Sequence, residues 1–238
     1  MFRALVLLLC ALALALAACG DDDDSDSSGG GDSAATETQP QDGPGGDADG
    51  GLTCATVEQP EPKPDGGAER PSAPLDRDAT YQVVLKTSCG DITIRLDQKT
   101  SPRTAASFAG LAKAGFFDGT VFHRIVPGFV IQGGDPTATG TGGPGYSTRD
   151  VPPQDASYTK GTVAMAKTGT EPPGTAGSQF YIVTAPDAGL PPEYALLGEV
   201  IEGQDVVDAI GELGDPASGD AGTPVQPVVI ERATVRES

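Results

Sequence analysis

Apolar and polar positions fall into short alternating runs over the C-terminal two thirds of the chain. Tyr81–Thr87 and residues 91–97 are β-branched runs around Ser88-Cys89-Gly90, and the second sets Ile92, Ile94 and Leu96 on one face. That is a hairpin signature. Ser101-Pro102 then opens a run in which Ala105, Phe108, Leu111 and Ala112 recur at helical spacing. Ser at the N-cap, Pro at the first helical position and Gly115 beyond the last apolar residue predict a helix. Strand-like runs follow at 120–125, 129–132, 161–166, 179–184 and 195–201, then a short helix at 204–210 and a closing strand at 228–235. Many short strands, Gly/Pro-rich turns and two helices predict a mainly β domain, barrel or sandwich, over residues 79–238. Roughly 160 residues suffice for a single core.

The N-terminal third lacks such a period. A short basic start leads into an unbroken apolar run over residues 4–18. That run is too short to span a hydrocarbon core of about 30 Å comfortably, and it matches the apolar region of an export signal. Its end, Leu16-Ala17-Ala18-Cys19, resembles a bacterial lipobox, in which the cysteine thiol takes a diacylglycerol and becomes the mature N-terminus. An ordinary signal peptide with an incidental cysteine is the alternative. The expected organisation is a lipoprotein signal over 1–18, lipidation at Cys19, an acidic Gly/Pro/Ser-rich disordered tether over 19–78, and the folded domain. The protein would then be extracytoplasmic, anchored to the bacterial cell membrane by lipid alone.

Composition sharpens this division. The chain holds 33 Gly, 21 Pro, 34 acidic and 15 basic residues, for a net charge of −19. Residues 20–75 alone carry 14 acidic residues against Lys63 and Arg70. Such a segment buries too little apolar surface to offset chain entropy and reads as a solubilising spacer. The acidity argues against a nucleic-acid partner, because phosphate backbones are held by Lys and Arg. A lone histidine, His123, and four scattered cysteines leave no multi-histidine or zinc-cluster pattern. With Cys10 in the signal and Cys19 lipidated, Cys54 and Cys89 are either a disulfide or two free thiols, and an oxidising compartment permits the bridge.

The chemistry concentrates in Phe122-His123-Arg124-Ile125-Val126-Pro127-Gly128-Phe129-Val130-Ile131-Gln132-Gly133-Gly134-Asp135. A cation, an amide and an aromatic share one face if the Pro-Gly turn shifts the register. Gly177-Ser178-Gln179-Phe180-Tyr181 again sets an amide beside aromatics. For any single one of these residues, a surface ion pair or a core position is the ordinary role.

These blocks, with Met165-Ala166 and Leu197-Gly198 in order, resemble the cyclophilins, peptidyl-prolyl cis/trans isomerases, over about residues 80–235. The resemblance implies a closed eight-stranded antiparallel β-barrel capped by two α-helices. It makes Arg124 the catalytic cation, with Phe129 and Gln132 beside it. It implies a proline-peptide groove lined by His123, Val130, Met165, Ala166, Lys167, Gln179, Tyr181, Leu190 and Tyr194. Lys167 would act mainly through its backbone, since the family usually has Asn there, and Gly189 stands where eukaryotic members have Trp. His123 is expected to be structural or groove-lining, because the reaction transfers no proton. The implied activity is X–Pro isomerisation in exported proteins by a monomer that needs no cofactor or metal; the alternative is a proline-peptide binding module with little turnover.

Overall fold

Strands β1 (Tyr81–Thr87) and β2 (Gly90–Leu96) form the expected hairpin, with Leu85 opposite Ile92 and Val83 opposite Ile94. The computed structural model describes residues 52–238. The signal segment, Cys19 and the tether as far as residue 51 lie outside the described residues. Helix α1 (Pro102–Lys113) follows, then β3 (Thr120–Val121), β4 (Arg124–Val126), β5 (Val130–Gly133) and β6 (Thr148–Arg149). The chain continues through β7 (Thr162–Met165), β8 (Thr175–Ala176), β9 (Phe180–Val183), β10 (Leu196–Glu202), α2 (Gln204–Gly211), a kinked 3-10 segment (Pro216–Ala221) and β11 (Val229–Glu237).

The sheet corrects the closed eight-stranded barrel. It has nine strands, all antiparallel, in the order β3-β11-β1-β2-β10-β7-β9-β5-β4, and it curls without closing. The expected strand at 120–125 breaks at Phe122 and His123 into β3 and β4, which become the two edges. A lone bridge, Val121 to Asp135, joins the β3 edge to the residues beyond β5. The exposed side of β4 is blunted by the 3-10 segment, where the Ile125 amide donates to the Gly222 carbonyl at 2.7 Å. An uncovered edge would otherwise present free backbone groups. β6 and β8 form a separate two-stranded ladder that the sequence did not suggest.

Inside the curl, alternate residues meet in one core: Leu85, Ile92, Ile94, Ile125, Ile131, Val163, Phe180 and Ile182. Helix α1 contributes Ala105, Phe108, Leu111 and Ala112, and α2 contributes Val206, Val207 and Ile210. Phe108 stacks edge-on to Phe180 at 5.3 Å between centroids. On the outer face of β5, β9 and β7 a second, smaller cluster gathers Val130, Tyr158, Ala164, Tyr181, Val183 and Ala185.

Residues 52–78 differ from a free spacer, for they lie along the domain. Cys54 and Cys89 are bonded, closing a separation of 35 residues. The Lys63 ammonium donates to the carbonyls of Gly115, Phe116 and Asp118 at 3.1, 2.6 and 3.1 Å, satisfying the chain end beyond α1. Ala68 and Gly66 donate to Pro144 and Gly143. These polar and covalent clasps add to the apolar packing of Ala68 and Leu75 against the core. A loop of this length constrains the unfolded chain by about 4 kcal/mol. Replacing both cysteines by serine should therefore lower Tm by roughly 8–16 °C, measured by calorimetry. A Tm equal to the parent's would mean the bridge contributes nothing.

Candidate active site

The site is a product of register. Arg124 on β4 lies opposite Gln132 on β5, Gln132 opposite Tyr181 on β9, and Tyr181 opposite Ala164 on β7. Side chains alternate along each strand, so this row points away from the core that takes Ile125, Ile131, Ile182 and Val163. Val126-Pro127-Gly128-Phe129 makes the tight turn: the Phe129 amide donates to the Val126 carbonyl at 3.0 Å, and Gly128 takes φ 67°. Proline second and a positive-φ glycine third are the requirements of a type II turn. Because Val126 pairs with Val130, Phe129 is an extra residue, and it folds onto the face of Arg124. This is the register shift that the sequence required.

Arg124 is half-buried and is held by polar neighbours rather than by an acid. Its Nε donates to the Asp220 carbonyl at 3.0 Å, one terminal nitrogen lies 3.4 Å from Gln132 Oε1, and the guanidinium sits 5.9 Å from the Phe129 ring centroid. Gln132 Nε2 donates to Gln179 Oε1 at 3.0 Å, and Gln179 Nε2 to the Gly142 carbonyl at 2.9 Å. Each amide is thereby oriented by the next. Among the described residues no carboxylate lies within 4.0 Å of the guanidinium, so most of its five donors remain available. Asp220 and Gly222 escaped the sequence reading. A side chain at Gly222 would press on the Arg124 stem 2.9 Å away.

Beside the guanidinium opens a cup of about 220 Å³, lined by Arg124, Phe129, Val130, Gln132, Ala166, Lys167, Tyr181, Leu190 and Tyr194. Three expected residues lie elsewhere. Met165 belongs to the core, because alternation along β7 turns Val163 and Met165 inward and Ala164 outward. Gln179 lines the adjoining hollow of about 370 Å³ and anchors Gln132. His123 also stays outside the cup, and burial lowers its pKa, leaving a neutral ring near neutral pH.

Lys167 also lines the cup. Its ammonium is 3.0 Å from Glu193 and 5.3 Å from the Tyr194 ring centroid, and the side chain is 3 % exposed. Beneath the cup Tyr158, unforeseen in the sequence, donates to the Tyr194 carbonyl at 2.7 Å and accepts from the Tyr194 amide at 3.0 Å, fixing that wall. The Tyr181 hydroxyl is buried with no hydrogen-bond partner among the described residues, and burial pushes its pKa far up. A buried hydroxyl without a partner costs stability. Tyr181→Phe is accordingly expected to stabilise the fold by about 1 kcal/mol, seen as a rise in the denaturant midpoint.

A guanidinium with free donors beside a cup walled by Phe129, Tyr181, Leu190 and Tyr194 suits a ligand that is a compact ring carrying a transient acceptor. Residues 82–235 match the family model for cyclophilin-type peptidyl-prolyl cis-trans isomerases. The chain belongs to this family. Peptidyl-prolyl cis-trans isomerase A of Mycobacterium tuberculosis is 41 % identical over 175 residues, covering 66 % of this chain and 93 % of that protein. Peptidyl-prolyl cis-trans isomerase B of Streptomyces anulatus is 40 % identical over 169 residues, covering 63 % and 94 %. Among solved structures, a Cryptosporidium parvum cyclophilin crystallised in the presence of the dipeptide Ala-Pro is similar with a TM-score of 0.58 and 29 % identity, covering 65 % of this chain and 98 % of that one. The cyclophilin domain here thus carries an additional N-terminal segment, part of which packs against it.

Proposed function

We propose that this cyclophilin isomerises X–Pro bonds of exported polypeptides at the cup on β4, β5 and β9, while tethered to the bacterial cell membrane through Cys19. The observation that carries the catalytic reading is Arg124, fixed by Asp220 and Gln132, free of carboxylates, and facing an aromatic-walled cup. The Ala-Pro used with the Cryptosporidium relative sets the ligand class, a proline-containing peptide.

The uncatalysed flip crosses a barrier of about 18–20 kcal/mol because the prolyl nitrogen's lone pair is delocalised into the carbonyl. As the bond twists, that lone pair localises and can accept a hydrogen bond. A guanidinium placed there binds the twisted state more tightly than either planar one, which is the condition for rate enhancement. Phe129, Leu190, Tyr181 and Tyr194 would hold the pyrrolidine ring while the preceding carbonyl rotates. Gln132 keeps the fork in place and is itself kept by Gln179. No bond is made or broken, so no nucleophile or proton relay is called for.

Export is supported by the apolar run at 4–18 and by the Cys54–Cys89 bridge, which fits an oxidising compartment. The test is a prolyl-peptide isomerisation assay on the full chain with an Ala-Pro substrate. Acceleration over the spontaneous rate is expected; a chain that held the peptide without accelerating it would be a binding module.

A further inference from the structure

The segment leading from Lys63 to β1 does more than cover the domain. Between residues 70–77 and the start of α1 lies a cavity of about 970 Å³, far larger than the cup. Four of the chain's nine arginines line it: Arg70 and Arg77 from the segment, Arg103 from α1 and Arg149 from β6. Pro71 and Pro74 supply part of its apolar wall. In a chain of net charge −19 this is an unusual concentration of cations.

Among the described residues, three of the four arginines have no internal ion pair. Arg70 donates to the Ser147 carbonyl at 2.8 Å and stacks 5.0 Å from the Tyr146 ring centroid. Arg149 donates to the Pro173 carbonyl at 3.0 Å, and Arg103 to the Arg149 carbonyl at 3.2 Å. Among the described residues neither Arg70, Arg77 nor Arg149 has a carboxylate within 4.0 Å. Glu69, Asp76 and Asp78 flank Arg70 and Arg77 in sequence without an ion pair to either. Two further acids near the cavity, Asp150 and Glu171, are held by threonines. Asp150 accepts from the Thr104 amide and hydroxyl at 2.7 and 2.8 Å and meets Arg103 at 3.9 Å, while Glu171 accepts from the Thr168 amide and hydroxyl at 2.6 and 3.0 Å.

The cavity is also continuous with the groove. It shares Ser147 and Glu171 with the adjoining hollow, and that hollow shares Gln132, Ala166 and Lys167 with the cup. We propose that the arginine-lined cavity binds an acidic stretch of the client polypeptide whose proline occupies the cup. This rests on the isomerase reading of the cup. Concavity and continuity with the groove favour a peptide over a membrane surface, which is too flat to enter. Exposed guanidiniums each contribute modestly, so the binding is additive over several carboxylates and weakens with salt. Clients rich in Asp and Glu near an X–Pro bond are the class selected.

The test uses the full chain and a fluorescein-labelled, proline-free octaglutamate, with octaglutamine as control. Octaglutamate is expected to bind, and to lose affinity as salt rises from about 0.05 to 0.5 M. Arg77→Glu with Arg103→Glu should weaken it about tenfold or more while the melting curve stays two-state. Arg124→Ala should bind octaglutamate as the parent does yet isomerise about 10²–10³-fold more weakly, which separates this site from the cup. Equal binding of octaglutamine, or unchanged affinity in the double variant, would overturn the proposal. So would displacement by inorganic phosphate at equal concentration, or capture by phosphatidylglycerol vesicles without peptide binding.

Discussion

Arg124→Ala is expected to lower kcat/KM for an Ala-Pro peptide by about 10²–10³-fold, the range typical of losing one preorganised donor in a water-poor site. In an ordinary setting a charge-assisted hydrogen bond is worth about 1.5–3 kcal/mol, one to two factors of ten. The larger figure follows because Gln132 and the Asp220 carbonyl hold the fork in place before substrate arrives, so little reorganisation accompanies the reaction. KM should change less than kcat, since the cup walls remain. Arg124→Lys should recover part of the loss: it restores charge without the planar fork. Line-shape or exchange NMR on the peptide gives the rates, and a thermal melt checks the fold. A fully active alanine variant would remove the role assigned to the guanidinium.

A large loss of stability is expected from Asp135→Ala. The carboxylate is fully buried and accepts from the Thr137 amide and hydroxyl at 2.7 and 2.8 Å and from the Gly140 and Gly142 amides at 2.6 and 3.2 Å. Truncation orphans three backbone donors, a cost of about 3–5 kcal/mol, or a fall in Tm on the order of 10 °C. Burial alone would raise the pKa of this carboxyl, but the hydrogen bonds from Thr137, Gly142 and Gly140 outweigh it and leave it below the usual carboxylate value. A depressed folded pKa means the stabilisation is complete above the unfolded value, about 3.9, and is lost as pH falls through the folded one. The parent should therefore lose stability below about pH 4, and the alanine variant should lose less over that window. Activity should fall as well, because Gly142 at the end of this loop receives Gln179, which orients Gln132. Denaturant titration across pH reads the first effect; an identical acid limb in both proteins would refute it.

Local pattern carried much of the fold. The β1–β2 hairpin followed from alternation around Ser88-Cys89-Gly90, and α1 began at Pro102 as its sequence required. Its cap did not follow. Ser101 makes no capping bond, and the Thr104 amide is satisfied instead by Asp150, a partner 46 residues away. Tertiary caps leave no trace at the helix they serve. The two-residue strands β6 and β8 were equally invisible, being too short for any period to register.

For the site, motif residues identified the row of Arg124 and Gln132, but distance in sequence hid its supports. Asp220 lies 96 residues from Arg124, and Tyr158 lies 36 from Tyr194. Met165 shows the opposite case. Strict alternation with the apolar Val163 would have turned it inward, whereas the resemblance alone assigned it to the groove. The Cys54–Cys89 bridge was one of the two alternatives the cysteines offered, but the packing of residues 55–78 was unreadable because Lys63 acts singly, with no repeating pattern to announce it.

The bond between Cys54 and Cys89 also decides how the domain meets mechanical load. A pull on the chain ahead of Cys54 enters the sheet at the tip between β1 and β2, bypassing everything from 55 to 88. Tension therefore cannot peel Lys63 from its carbonyls or spread the wall that holds Arg70 and Arg77. Any such load would be borne by sulfur, and the working face would stay slack.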